Sequence, residues 1–102
     1  MVELLHALAE PRRQAILHLI WRQERAAGAI HRAAGGITFG AVSQHLRVLR
    51  EAGAVHVRRD GRHRLYRANH ATLRPLRGYL EKMWAQSLGD LKSLAETEAR
   101  KR

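Results

Sequence analysis

Ala41-Val42-Ser43-Gln44-His45-Leu46-Arg47-Val48-Leu49-Arg50-Glu51-Ala52-Gly53, followed without a gap by Ala54-Val55-His56-Val57-Arg58-Arg59, Asp60-Gly61 and Arg62-His63-Arg64-Leu65-Tyr66-Arg67, decides the fold. In the first part Val42, Leu46 and Leu49 recur at i, i+4 and i+7, which places them on one face of a helix. Thr38 can cap that helix at its start, and Gly53 stands just past its end at Ala52. Immediately upstream, Ala29-Ile30-His31-Arg32-Ala33-Ala34 reads as a helix of two turns closed by Gly35-Gly36. Two short helices joined by a tight glycine-bearing turn make a helix-turn-helix. Asp-Gly between two β-forming runs signals a hairpin, and a hairpin directly after the second helix is a wing. Its register is open: a two-residue turn pairs Val57 with Arg64, whereas a three-residue loop pairs Val57 with Leu65 and suits the alternation better.

Outward from this unit, residues 2–9 read as a short helix with Leu4, Leu5 and Leu8 on one face. Pro11 starts a second helix, because the first helical position has no intrahelical partner for its amide; Ile16, Leu17, Ile20 and Trp21 stripe it, and it should run to Glu24 or Arg25. The last helix begins near Leu73, with Pro75 tolerated in its first turn. Leu73, Leu76, Leu80 and Met83 mark one stripe on it; Trp84, Leu88, Leu91 and Ala95 mark a second. Two adjacent stripes exceed what one small domain covers, so one faces the domain and the other a second copy of the chain, through a two-fold interface that includes the first helix. Leu4, Leu5, Leu8, Leu80, Met83, Trp84, Leu88 and Leu91 are the candidate interface residues. The segment from Glu96 to Arg102 should fray. The expected architecture is mainly α with a β-hairpin: about five helices plus a two-stranded wing in a single domain over residues 1–102, with residues 1–9 and 73–98 as dimerisation helices.

Composition narrows the function. The 102 residues are 45% hydrophobic, ordinary for a folded chain, and include no cysteine, so a disulfide framework, a thiolate metal site and a thiol nucleophile are excluded. The N-terminal segment does not resemble a secretory signal and no run approaches a membrane span, which points to a cytoplasmic protein without a membrane partner. Nineteen Lys and Arg stand against nine Asp and Glu, a net charge of +10. Residues 41–77 hold nine arginines against Glu51 and Asp60, so most of the excess lies in about a third of the chain. Such a field favours a polyanion.

In a helix-turn-helix the N-terminal part of the second helix enters the major groove of double-stranded DNA. Opposite the apolar face, Gly40, Ser43, Gln44 and Arg47 fall at i, i+3, i+4 and i+7; with Thr38 they are the candidate base-reading positions. Gln bonds adenine bidentately, Ser accepts or donates to any base edge, and Arg47 reads guanine or clamps a phosphate. Arg50, Arg58, Arg59, Arg62, His63 and Arg64 are the candidate backbone contacts, with Arg67 at the base of the wing. Neutralising roughly six to ten phosphates per dimer would lower affinity by on the order of a thousandfold or more between 50 and 200 mM salt. His45, between the two faces, reads equally as a satisfied, partly buried histidine and as one that orients the helix or touches DNA. The seven histidines, His6, His18, His31, His45, His56, His63 and His70, show no i, i+3 or i+4 pair and no His-x-His, leaving only sites assembled across a dimer. No phosphate-binding Gly-rich loop, HExxH or nucleophile elbow occurs and no carboxylates pair, so neither catalysis nor a cofactor is expected.

Leu8 to Leu17, Ala41 to Gly53 and Val57 to Tyr66 together resemble the ArsR/SmtB family of bacterial winged-helix repressors, in the right order and over nearly the whole chain. The resemblance implies a dimer built from first and last helices, a recognition helix in each major groove, and repression at an inverted-repeat operator. It does not bring the family's metal switches with it: the third-helix site needs cysteines, and after Asn69-His70 no further histidine follows. Gly35-Gly36-Ile37-Thr38-Phe39-Gly40 also departs from the commoner turn pattern. The signal is therefore open: a metal at an unfamiliar site, a small molecule, a partner protein, or none. The alternative function is a basic architectural protein that coats nucleic acid without base readout.

Overall fold

The computed structural model describes residues 2–86. It opens with α1 (Val2–Leu8) and α2 (Pro11–Leu19). Their junction is fixed by reciprocal capping. Glu10 is the N-cap of α2 and its carboxylate accepts from the Arg13 N–H at 3.1 Å. Arg13 and Gln14 reach back and donate to the Ala7 and Leu8 carbonyls, which have no partner within α1.

α2 ends at Leu19, well before the expected Glu24 or Arg25. Arg25 and Ala26 are instead strand β1 (Arg25–Ala26), pairing antiparallel with Tyr66 and Leu65. Continuing the helix would cost those ladder bonds, and two more contacts hold the turn: the Ala68 N–H donates to the Ile20 carbonyl at 3.1 Å, and Arg25 Nε donates to the Leu19 carbonyl at 3.0 Å. The wing is thus part of a three-stranded sheet of order β1-β3-β2, where the sequence pattern predicts two strands. α3 (Ala27–Ala34) starts two residues before the expected Ala29. α4 (Phe39–Glu51) starts where expected and ends one residue earlier, with Ala52 as its C-cap and Thr38 as N-cap accepting from the Ala41 N–H at 3.1 Å.

The hairpin adopts neither of the two open registers. β2 (Val55–Asp60) and β3 (His63–Ala68) pair Asp60 with His63 and Val57 with Tyr66, so the two-residue loop is Gly61-Arg62. Gly61 has φ +61°, and no non-glycine residue among those described has positive φ. Glycine therefore holds the first central position, the arrangement of a type II′ turn. A loop of Asp60-Gly61 in the mirror type I′ form would force Asp60 itself to positive φ. The adopted register also puts Val55, Val57, Tyr66 and Ala68 together on the inner face.

After the wing, Asn69 caps α5 (His70–Leu73), a 3₁₀ turn covers Arg74–Leu76, and α6 covers residues 77–86. The helical path starts three residues before Leu73, and Pro75 falls in the 3₁₀ turn, where its missing amide is accommodated. Leu88, Leu91, Ala95 and the segment from Glu96 to Arg102 lie outside the described residues. One apolar cluster runs through the helices and the two wing strands, from Leu4 and Leu8 through Ile16, Leu17, Ile30, Val42, Leu46, Leu49, Val55 and Ala68 to Leu73 and Leu80. No described helix is long and apolar enough to cross a membrane.

Candidate nucleic-acid interface

The turn between α3 and α4 depends on Gly35 and Gly36, at φ +61° and +68°; Gly35, with ψ 152°, lies in a region that only glycine adopts readily and that costs other residues about 1–3 kcal/mol. His31 closes it from below: its Nε2 lies 3.0 Å from the Ile37 carbonyl, and its ring meets Phe39 edge-on at 5.7 Å. Sequence pattern alone assigns His31 no role. Its position near the end of α3, one turn before the paired glycines, is the signal that could have found it.

With the turn set, Val42, Leu46 and Leu49 point into the core and Thr38, Gly40, Ser43, Gln44, Arg47 and Arg50 are all exposed on the other side of α4. Arg47 is held only loosely, its Nε 4.0 Å from the Glu51 carboxylate on an exposed flank. The first turn of α4 carries no acid, so its free amides and positive dipole end are not neutralised. His45 lies half-buried under the helix with Nδ1 3.8 Å from Glu10 Oε2, placing it against α2. Burial pushes the Glu10 carboxyl up, but the Arg12 and Arg13 N–H groups and the charges of His45 and Arg13 outweigh burial and hold it below the usual carboxylate range. One acid thereby caps α2 and faces His45 of α4.

On the wing, Arg59 and Arg64 form a cross-strand pair near the tip, Arg62 sits in the turn and His63 opposes Asp60; all are exposed. Arg58 is different. Its Nε donates to Glu24 Oε2 at 2.8 Å and a second nitrogen donates to Glu24 Oε1, a two-point contact between β2 and the segment before β1. The hydrogen bond from Arg58 lowers the Glu24 pKa against the opposing effect of burial, helped by the charges of Arg58 and Arg67; the same bond raises that of Arg58. Glu24 escapes a sequence reading because a helix running to Glu24 or Arg25 makes it an ordinary solvated acid.

The candidate interface residues divide. Leu4, Leu8 and Leu80 lie in this chain's own core, at 4%, 6% and 1% exposure, with Met83 packed on it. Leu5 and Tyr79 are the exposed apolar side chains beside them, at 49% and 66%, flanking a shallow groove that Leu76 also lines. Tyr79 falls outside the apolar stripes of the sequence because of its polar tip. Trp84 turns instead toward Trp21 and His18, at ring separations of 5.0 and 4.8 Å. Asn69 and His70 serve the scaffold: Asn69 donates to the Gly53 carbonyl at 3.0 Å and accepts from the Thr72 N–H, and His70 Nε2 lies 2.7 Å from the Trp21 carbonyl. Among the described residues no three His, Asp or Glu side chains are arranged to hold a metal.

Residues 8–58 match the model of a helix-turn-helix domain family. The chain is 33% identical over 94 residues to an uncharacterized HTH-type transcriptional regulator of Mycobacterium tuberculosis strain H37Rv, covering 92% of this chain and 82% of that one. It superposes with a TM-score of 0.68 on the homodimeric winged helix-turn-helix DNA-binding domain of a possible ArsR-family transcriptional regulator from Mycobacterium bovis, at 31% identity over 87% of this chain and 77% of that one. An ArsR-like transcriptional regulator from Rhodococcus gives a TM-score of 0.67 at 27% identity, covering 92% and 91% of the two chains.

Proposed function

The chain belongs to the ArsR-type family of winged helix-turn-helix transcriptional regulators, and from that premise we propose that it is a homodimeric repressor that occupies an inverted-repeat operator. The observation that carries this reading is the exposed row Gly40, Ser43, Gln44 and Arg47 along α4, together with the exposed Arg59, Arg62 and Arg64 on the wing that follows it. Ser43 and Gln44 read base edges in the major groove, with Thr38 and Gly40 allowing close approach and Arg47 reading guanine or a phosphate. Arg50 and the wing arginines, with His63, fix the register on the phosphates. Two copies join through α1 and α6 as one unit over residues 1–102, Leu5 and Tyr79 meeting their counterparts above the buried Leu4, Leu8, Leu80 and Met83.

Selection of bound duplexes from random DNA tests this directly. The expected product is an inverted repeat with half-site centres about one helical turn apart, bound roughly a thousandfold or more tighter than unrelated DNA at physiological salt. Failure to enrich any motif, with a specificity ratio near one, would instead support an architectural protein that reads charge alone.

A further inference from the structure

A groove of ≈ 790 Å³ opens between the C-terminal end of α2 and α6, on a different side of α6 from Leu76, Tyr79 and Leu80. Its volume lies within the range of sites that hold small molecules. Two kinds of group line it. Trp21 and Trp84 meet edge-on at 5.0 Å with a 73° interplanar angle, and His18 lies against Trp84. Around them stand Arg22, Arg25 and Arg77, with Glu81 as the acid of the lining. Glu81 is already engaged: Arg77 Nε donates to it at 2.9 Å, and that bond, ahead of the opposing burial and a longer bond from Trp21, holds its pKa below the usual range.

The lining therefore combines indole surface with an excess of guanidinium. The indoles add a third feature. Trp84 Nε1 is a buried donor with no hydrogen-bond partner among the described residues, an uncommon and costly state for an N–H. A ligand with a flat apolar body and an acidic end would match this lining: the ring lies along the tryptophans and the anion meets an arginine, which binds carboxylates in a planar, two-point manner.

The groove also touches the element that carries the wing. Arg25 belongs to β1 and pairs with Tyr66 of β3. The adjoining Glu24 holds Arg58 of β2. An anion that draws Arg22 or Arg25 toward itself acts on β1 and on the segment before it, and so on the orientation of the hairpin that bears Arg59, Arg62 and Arg64.

We propose that this groove is an effector site for a small aromatic carboxylate, whose binding is transmitted through β1 to the wing. The transmission step rests on the regulator reading above; the binding step does not.

The chain has two tryptophans and both line the groove, so intrinsic fluorescence of the 102-residue chain reports occupancy without DNA. Benzoate is the probe, with benzamidinium as the same ring carrying the opposite charge and acetate as the charge without the ring. Saturable quenching by benzoate is expected in roughly the millimolar range, with both comparators weaker by about tenfold or more. Arg22→Gln should weaken benzoate about tenfold, the loss of one charge-assisted contact, with thermal unfolding unchanged; Arg64→Gln at the wing tip should leave benzoate binding as it was. No saturation by about 20 mM, equal response to benzamidinium, or an unaffected Arg22→Gln variant overturns the site. A second arm measures affinity for the selected operator with and without saturating benzoate. Weakened DNA binding supports transmission, and unchanged DNA binding in the presence of proven occupancy overturns it. Because the fluorescence arm uses no DNA, benzoate binding stands or falls there whether or not an operator is found.

Discussion

Replacing Glu24 by Gln tests how the wing divides its charge. Glu24 engages Arg58 through two hydrogen bonds, and the pair is partly open to solvent, with side-chain exposures of 31% and 58%. Arg58 is thus within reach of water and of a phosphate, but its guanidinium is already met by a carboxylate. Glu24→Gln removes one negative charge per protomer and leaves Arg58 to any phosphate the wing approaches. Each additional phosphate contact steepens the dependence of log K on log salt by about 0.9, so two protomers add roughly 1.8 to the slope. Over a fourfold change in salt, from 50 to 200 mM, that corresponds to about a twelvefold greater loss of affinity than the unaltered protein shows. Fluorescence anisotropy of a labelled operator, titrated across that range, reads the slope. The double variant Glu24→Gln with Arg58→Gln should return it to the original value or below. An unchanged slope in the single variant refutes the idea that Glu24 withholds Arg58 from DNA; a shallower slope with weaker binding would mean that the pair positions the wing for contact.

Three further expectations follow from the packing and the charges. Leu46 is 1% exposed at the middle of α4, so Leu46→Ala should lower unfolding free energy by about 2–5 kcal/mol in a urea titration and weaken DNA binding with it. Glu10 has a folded pKa below its ordinary 4.5, so the folded state binds fewer protons than the unfolded state in that window. Its contribution is present above the unfolded value and is lost as pH falls through the folded one, so the unaltered protein should lose stability more steeply than Glu10→Gln between about pH 5 and pH 3, read by thermal unfolding. The chain lacks cysteine, so arsenite should leave operator affinity unchanged in a gel shift; release of DNA by arsenite would contradict that expectation.

The recognition helix is fully legible in the sequence because each of its signals is local: Thr38 at its start, the Val42, Leu46 and Leu49 stripe, Gly53 past its end. The wing is legible as a hairpin but not in register. Both registers open to the sequence keep Asp60 in the loop, whereas the positive φ at Gly61 admits Asp60 to the strand and moves every cross-strand partner. β1 is invisible because two residues, Arg25 and Ala26, carry no periodicity; they become a strand only when β3 arrives from forty residues away. The same displacement hides Glu24 and its pairing. Towards the end of the described chain the stripe marks the buried Leu73 of α5 and Leu80 of α6 correctly, while the partner of Trp84 depends on where α2 stops, which no pattern within α6 discloses.

The pairings redistribute the net charge in a way that bears on affinity. Of the nine arginines between residues 41 and 77, Arg58 is tied to Glu24, Arg77 to Glu81, and Arg47 weakly to Glu51. Two of these acids come from outside the basic third of the chain, so the surrounding scaffold trims its field. Arg50 on α4 and Arg59, Arg62 and Arg64 on the wing are exposed and have no acid partner among the described residues. Adding Arg47, whose exposed pair with Glu51 yields readily, the proposed dimer would make about five contacts per protomer, or roughly ten phosphates for two copies. That is the upper end of the range implied by composition, reached without Arg58. On the proposed reading the bulk of the electrostatic attraction would then be carried by the arginines, so that charge would set the affinity and the neutral Ser43 and Gln44 on α4, with any base contact from Arg47, would set the sequence.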